Sequence, residues 1–244
     1  MTYYIVIRES RKNDTPAISE VVRGAYTSNV LSAWGNALFN EYTYQLIIML
    51  SATLFILLGI PLVYCIVSVP MVLLAVYLAI YASFLMKSAQ LLYEKRAEKC
   101  WVAEVYEPFF FNKSPSTCWY KVITENEMEK EGLKPDKHQR KIVGTVAVMK
   151  HNQKEDWAWL FRLAVDKNYR RKGVATNLVA AVKEWCRDQK YDNLEAAIGE
   201  CNTGSRQMFN ETGFQMVQIY HKKLFAVFNL QMFQLRCEVR STFH

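Results

Sequence analysis

The stretch Trp157–Ala175, WAWLFRLAVDKNYRRKGVA, constrains this chain more than any other. The apolar and aromatic run from Trp157 to Val165 has the length of a buried strand. A polar turn follows, Asp166-Lys167-Asn168-Tyr169, and Arg170-Arg171-Lys172-Gly173-Val174-Ala175 then opens a helix. That helix is amphipathic, with apolar residues at Val174, Leu178, Val179, Val182 and Trp185. A strand that passes through a basic, glycine-bearing turn into a helix start is suited to hold phosphate. The first helical N–H groups have no partner inside the helix, and the helix dipole adds partial positive charge there. Gly173 lets backbone approach a ligand with no Cβ in the way.

The second constraint is an uncharged segment. From Tyr42 to Met86 there is no Asp, Glu, Lys, Arg or His. One spanning helix takes roughly 20 apolar residues, so the segment suits two helices with a tight turn. Gly59, Pro61 and Pro70 are the natural breaks, with helices near Tyr44–Ile60 and Val67–Met86. Two spans return the chain to its starting side. Lys87, Lys95, Arg96 and Lys99 follow the second one, and the positive-inside rule puts both flanks in the cytosol.

The rest of the chain supplies strands and helices in alternation. Tyr3–Arg8 reads as a first strand. Asn13-Asp14-Thr15-Pro16 starts a helix that runs to about Val30. Lys87–Lys99 continues as a polar helix, and Cys100–Tyr106 alternates like a strand. Residues 107–140 are an insertion with three prolines, a surface excursion or lid. Lys141–Met149 is a strand, and His151–Asp156 a hairpin turn. Asn193–Ile198 is a strand, Thr203–Thr212 a helix ended by Gly213, and Phe214–Ile219 a strand. Phe225–Val239 is a last strand or an amphipathic segment. The domain division is therefore 1–41, a first strand and helix; 42–86, an apolar hairpin; and 87–244, the remainder.

A net charge of +7 with no basic block of five argues against nucleic acid as a partner. Six scattered cysteines with no C-x-x-C pair argue against a disulfide framework and against zinc, and suit reduced thiols. The start MTYYIVIRES lacks a signal-peptide pattern.

The order strand, R-x-x-G-x-A, helix, strand, N-x-x-S-x-x-x-F-x-x-x-G-F resembles the GNAT superfamily of acyl-CoA N-acyltransferases. The matching residues are Arg170, Gly173 and Ala175, then Asn202, Ser205, Phe209, Gly213 and Phe214. The inserted hairpin and the runs CWVAEV and FRLAVDKNYRRKGVATNL are similar to its camello-like branch, endoplasmic-reticulum-anchored N-acetyltransferases of free aspartate, cysteine S-conjugates or protein lysines. The resemblance implies an α/β (α+β) fold, a mixed central sheet flanked by helices with an inserted transmembrane hairpin. It implies acetyl-CoA as co-substrate, no metal, an amine acceptor that is a small molecule or a protein lysine, and a lipid bilayer as neighbour.

The resemblance also assigns roles. The strand before the motif splays from its neighbour at a bulge, and backbone groups of Leu163, Ala164 and Val165 pair with the pantetheine arm. The N–H groups of Arg171, Lys172, Gly173, Val174 and Ala175 take the pyrophosphate, with charge from Arg170 and Lys172 and a hydroxyl from Thr176. Asn202, Ser205 and Phe209 complete the cofactor site, and the Val165 N–H polarises the thioester carbonyl. Many relatives carry a proton-donating tyrosine where this chain has Phe209, which leaves Cys201 and Ser205 as substitutes or as packing residues. The family's base position falls near Trp159; Glu155, Asp156, Glu195 and Glu200 are the carboxylates nearby. Arg162 interrupts an apolar strand and needs an anionic or hydrogen-bonded partner. It grips the carboxylate of an amino-acid-like acceptor, pairs with an internal acid, or reaches solvent. Two functions fit the chain: a membrane-anchored N-acetyltransferase, or a catalytically weak acetyl-CoA-binding protein that acts as a membrane-tethered interaction module.

Overall fold

A computed structural model describes residues 3–59, 61, 63–93, 97–108, 114–130, 139–200, 202–223 and 229–240. The strands are β1 (Tyr3–Glu9), β2 (Lys99–Glu107), β3 (Tyr120–Thr124), β4 (Gln139–Lys150), β5 (Trp157–Val165), β6 (Asn193–Gly199), β7 (Gln215–Lys223) and β8 (Asn229–Glu238). They form one sheet in the order β3-β1-β2-β4-β5-β6-β8-β7. The pairs β1/β3 and β5/β6 are parallel and the other five antiparallel. A mixed sheet follows from the connections: β4 and β5 are joined by a short hairpin, whereas β5 reaches β6 only through a helix.

Helices cover both faces. On one lies α6 (Val174–Asp188), which buries Val174, Leu178, Val179, Val182 and Cys186 against Val143, Val146, Leu160 and Ala196. Each such apolar side chain contributes about 1.5–3 kcal/mol when fully buried, so the start of α6 is fixed to the sheet. Gly144 allows the close approach. A Cβ there would meet Val174 Cγ1 at 3.1 Å and Leu178 Cδ1 at 3.2 Å. On the other face α1 (Thr15–Thr27) buries Ile18, Val21 and Val22 against Val102, Ile142 and Ala164.

Between α1 and β2 come α2 (Val30–Leu38), α3 (Glu41–Leu58) and α4 (Ser68–Tyr93). The helix expected to reach Val30 stops at Thr27, because hydroxyls compete for the backbone. Thr27 Oγ1 donates to Arg23 O, and Ser28 Oγ donates to Ala25 O at 2.7 Å. Among the described residues one helical segment, Tyr64–Tyr93, is long and apolar enough to cross a membrane. Glu41–Leu57 is a shorter apolar helix. The polar helix expected over Lys87–Lys99 is instead the end of α4, and Lys99 already belongs to β2.

The insertion 107–140 is more than an excursion. It adds β3 beside β1, from Tyr3↔Tyr120 to Ile7↔Thr124, and a short helix, α5 (Glu125–Lys130). Its residues 109–113 and 131–138 lie outside the described ones.

Candidate active site

The strand expected over Trp157–Val165 is β5, and it does not lie flat. Its register with β4 runs Ala147↔Phe161 and then Thr145↔Ala164, so Arg162 and Leu163 both stand opposite Val146. This is a β-bulge, and Arg162 adopts a left-handed φ of 58°. On its other edge β5 pairs with β6 from Trp157↔Asn193 to Leu160↔Ala196 only. Beyond that row β6 keeps its pairing with β8 as far as Gly199↔Met232. The two parallel strands therefore part at Leu160/Ala196 and leave a wedge between the ends of β5 and β6.

The Val165 backbone faces this wedge. Asp166 N–H donates to Val143 O at 2.7 Å. The alternation of an antiparallel pair then turns the N–H and C=O of Val165 away from β4. Leu163 and Val165 direct their side chains to the α6 core, and Ala164 to the α1 core.

The phosphate cradle closes the mouth of the wedge. Arg171 has φ 62° and Gly173 φ 76°, the latter as N-cap of α6. Turns of this kind bring successive N–H groups to bear on an anion. Among the described residues, no acceptor stands on the backbone N–H groups of Arg171, Lys172, Gly173, Val174 or Ala175. Unpartnered donors at a helix start fit a pyrophosphate without rearrangement. The exposed Thr176 lies one position further into α6.

The side chains around the cradle are more committed than the sequence suggests. Arg170 Nε donates to Val165 O at 3.2 Å, and Nη2 to Ser28 Oγ at 2.8 Å. Lys172 Nζ donates to Ser116 O and Cys118 O in the insertion. Tyr169 and Tyr120 both donate to Glu107 Oε1, at 2.9 and 2.6 Å. Burial, and then Glu107, pushes both phenols up. The insertion is thus tied to the phosphate turn through Lys172 and Tyr169, a link with no local sequence signal.

Beyond β6, α7 (Thr203–Glu211) begins after Asn202 and carries Ser205 and Phe209. Asn202 is exposed and Ser205 half-buried. Phe209 is 2% exposed and packs edge-on against Phe214, ring centroids 4.9 Å apart. A buried phenyl ring has no proton to give. Cys201 lies outside the described residues.

On the acceptor side two charged residues are held by partners that the sequence did not indicate. Glu195 stands in register with Trp159, on the strand beside the family's base position. Its carboxylate is fully buried and occupied: Gln234 Nε2 donates at 2.9 Å, Arg236 Nε and Nη2 at 3.3 Å each, and His151 Nε2 and Lys154 Nζ lie at 3.4 and 3.7 Å. This is a structural anchor, because no oxygen is left open to a substrate amine. Glu155, Asp156 and Glu200 are exposed. Arg162, expected to hold an acceptor carboxylate, an internal acid or solvent, has backbone carbonyls among its partners. Its Nε and Nη2 donate to Leu91 O at 3.2 and 2.6 Å, and Nη2 to Leu92 O at 3.3 Å. The partner that a half-buried arginine requires is the end of α4.

Beside Arg162 lies a cavity of about 400 Å³ lined by Glu9, Thr15, Ser19, Glu98, Lys99 and Cys100, among others. Its floor is at the level of the wedge apex, since Cys100 pairs with Ala147 and Ala147 with Phe161.

A sequence profile of the acetyltransferase (GNAT) family matches residues 92–214. The chain belongs to this family. GNAT acetyltransferases use acetyl-CoA as co-substrate, and the cradle and wedge lie within the matched residues. The chain is 29% identical over 91 residues, 37% of its length, to the L-2,4-diaminobutyric acid acetyltransferase of Oceanobacillus iheyensis, and covers 48% of that protein. It is 24% identical over 110 residues, 45% of its length, to the N-acetylaspartate synthetase of Xenopus tropicalis, and covers 35% of it. The chain thus spans about half of the first relative's length and about a third of the second's. Among solved structures, an N-acetyltransferase from Staphylococcus aureus Mu50 is similar over 97% of this chain and 99% of its own, with 13% identity and a TM-score of 0.48.

Proposed function

We propose that this protein is an N-acetyltransferase that moves the acetyl group of acetyl-CoA to an amine acceptor, from a membrane-bound position. The observation that carries the reading is the pairing of a turn whose N–H groups, Arg171–Ala175, have no acceptor among the described residues with a wedge that opens along β5. The pyrophosphate rests on the cradle. The pantetheine arm runs along the edge of β5 from Leu163 to Val165, where Val165 turns its N–H to the wedge while Ala164 turns its own backbone groups to β4. N–H groups of that edge polarise the thioester carbonyl, which strengthens as hydrogen-bond acceptor when the amine attacks. The amine attacks in its neutral form, the C–S bond breaks, and the CoA thiolate takes its proton from solvent because Phe209 has none to offer. The spare proton of the new amide also leaves to solvent, since Glu195 is occupied.

The acceptor enters from the face that carries α1, through the cavity beside Arg162. Its lining holds both signs, Glu9 and Glu98 against Lys99. Such a lining suits a small amine that bears a carboxylate. The two curated relatives are named for acceptors of that chemistry, diaminobutyric acid and aspartate. The second of them also supports the camello-like branch.

The membrane reading rests on α3 and α4. Ile48, Met49, Ile56 and Leu57 on α3 are exposed, as are Met71, Leu74 and Leu78 on α4. A monomer in water rarely leaves that much apolar surface uncovered. The two helices meet at Ser51 and Ser68, whose hydroxyls lie 2.6 Å apart. We read them as a hairpin in the bilayer of the endoplasmic reticulum, with the GNAT fold, 1–41 and 87–244, on the cytosolic side.

The test is thioester consumption by the purified full chain in lipid nanodiscs, with amino-acid, cysteine-conjugate and lysyl-peptide acceptors. Release of free CoA that depends on a carboxylate-bearing amine is the expected result. Acetyl-CoA binding without turnover on any acceptor would leave the binding-module reading in its place.

A further inference from the structure

Arg162 joins two parts of the molecule that the chain keeps far apart. Its backbone makes the bulge: it is one of two β5 residues set against Val146, and its φ of 58° is a left-handed conformation that costs a side-chain-bearing residue free energy. Two residues before it, Leu160↔Ala196 is the last pairing of β5 with β6, so Arg162 sits where the wedge starts. Its side chain makes the tether. Three hydrogen bonds reach Leu91 O and Leu92 O, carbonyls in the last turn of α4. Such carbonyls have no partner within the helix and sit at the negative end of its dipole. A planar guanidinium can serve two neighbouring carbonyls at once; an ammonium or an amide cannot hold the same fork. The bonds to α4 offset the cost of the strained backbone, so bulge and helix end stabilise one another.

We infer that Arg162 is a positioning residue that couples the end of α4 to the acetyl-CoA wedge, so that the seating of the apolar helices sets how well the wedge binds and turns over its co-substrate. The inference rests on the reading of the wedge as the acetyl-CoA site. Coupling of this kind is reciprocal. If seating α4 shapes the wedge, acetyl-CoA in the wedge must hold the end of α4.

The experiment compares wild type with R162G, which removes the tether and relieves the backbone, and with R162K, which keeps the charge but not the fork. Full-length proteins are taken in nanodiscs and in detergent. Acetyl-CoA affinity is read by calorimetry, kcat and KM by thioester consumption, melting temperature by fluorescence, and amide exchange by mass spectrometry. In wild type we expect a several-fold weaker acetyl-CoA affinity in detergent than in nanodiscs, and slower exchange at residues 88–93 when acetyl-CoA is added. In R162G both differences vanish and kcat falls roughly tenfold, an effect equal to about 1.4 kcal/mol. R162K lies between. If R162G folds and still shows protection at 88–93 on acetyl-CoA addition, or matches wild type in both media, the coupling is wrong. Should R162G fail to fold, absence of protection at 88–93 in wild type, or R162K behaving as wild type in every measurement, overturns the proposal. Wild-type protein that does not bind acetyl-CoA at all overturns the functional reading beneath it, and that result is distinct from binding without coupling.

Discussion

The two ends of the β5/β6 wedge are built differently. At the mouth, in the proposed function, the groups that meet acetyl-CoA are backbone N–H donors, presented by a turn with two left-handed residues, Arg171 and Gly173, at the start of a helix held down by apolar packing. At the apex the groups are side chains, and their partners come from other elements: those of Arg162 from α4, those of Glu195 from β8 and the β4–β5 hairpin. Backbone sites are encoded locally, by a glycine and a strand-to-helix register. Side-chain sites depend on what the fold brings near, and one residue type admits several partners.

Four substitutions sharpen this contrast. The largest effect belongs to the apex. Glu195→Ala leaves Gln234 and the part-exposed Arg236 without their shared buried acceptor, a loss of about 1–3 kcal/mol for each unsatisfied group that cannot turn to water. Thermal unfolding should show that loss, and a loss of turnover at unchanged melting temperature would instead make Glu195 the missing base. Gly144→Val drives a branched side chain into Val174 and Leu178. Overpacking of this sort costs roughly 1–3 kcal/mol, and acetyl-CoA affinity should fall along with stability, because the start of α6 carries the cradle.

Gly173→Ala separates the two. The nearest atom to the added Cβ is Asn177 Nδ2 at 3.5 Å, so packing is spared, but φ 76° is strained for alanine. Left-handed backbone costs about 1–2 kcal/mol; the free protein sheds that cost by relaxing the turn and must restore it to bind, which predicts roughly five- to thirtyfold weaker acetyl-CoA binding with little change in melting temperature. The smallest effect should come from Lys172→Met. Its ammonium is held by Ser116 O and Cys118 O, so binding should weaken only a few-fold. A loss as large as that of Gly173→Ala would show that side-chain charge, and not backbone, carries the mouth.

A carboxylate held by β1 supplies a baseline in pH. Burial pushes the Asp14 carboxyl up, but hydrogen bonds from Arg8 and the Arg11 N–H outweigh it and leave its pKa lowered. A folded pKa below the unfolded one adds stability above about pH 4, and that contribution is lost as pH falls through the folded value. Asp14→Asn should therefore flatten the acid limb of a stability–pH curve without altering acetyl-CoA binding at neutral pH.

The same contrast explains what was legible in the sequence. Periodicity located β1, β2, β4, β5, α6 and β6 within a residue or two, because each buries one face against a common core. The R-x-x-G-x-A turn located the start of α6. Nothing local announced β3, whose five residues pair with β1 across more than a hundred positions of chain, nor α2, which follows a break made by hydroxyl side chains. Arg162 was legible as an arginine in need of a partner, but the helix end that satisfies it lies seventy positions earlier. Gly144 escaped notice because its importance is the absence of a side chain under α6.

The most direct test of the central claim is amide exchange over residues 170–177 of the full-length protein, with and without acetyl-CoA. The N–H groups of Arg171–Ala175 have no acceptor among the described residues, so they should exchange fast in the free protein and slow by tenfold or more on binding, roughly the protection a new hydrogen bond of about 1.4 kcal/mol provides. Acetyl-CoA that binds while these amides exchange as before would contradict the assignment of the cradle and, with it, the reading of the wedge.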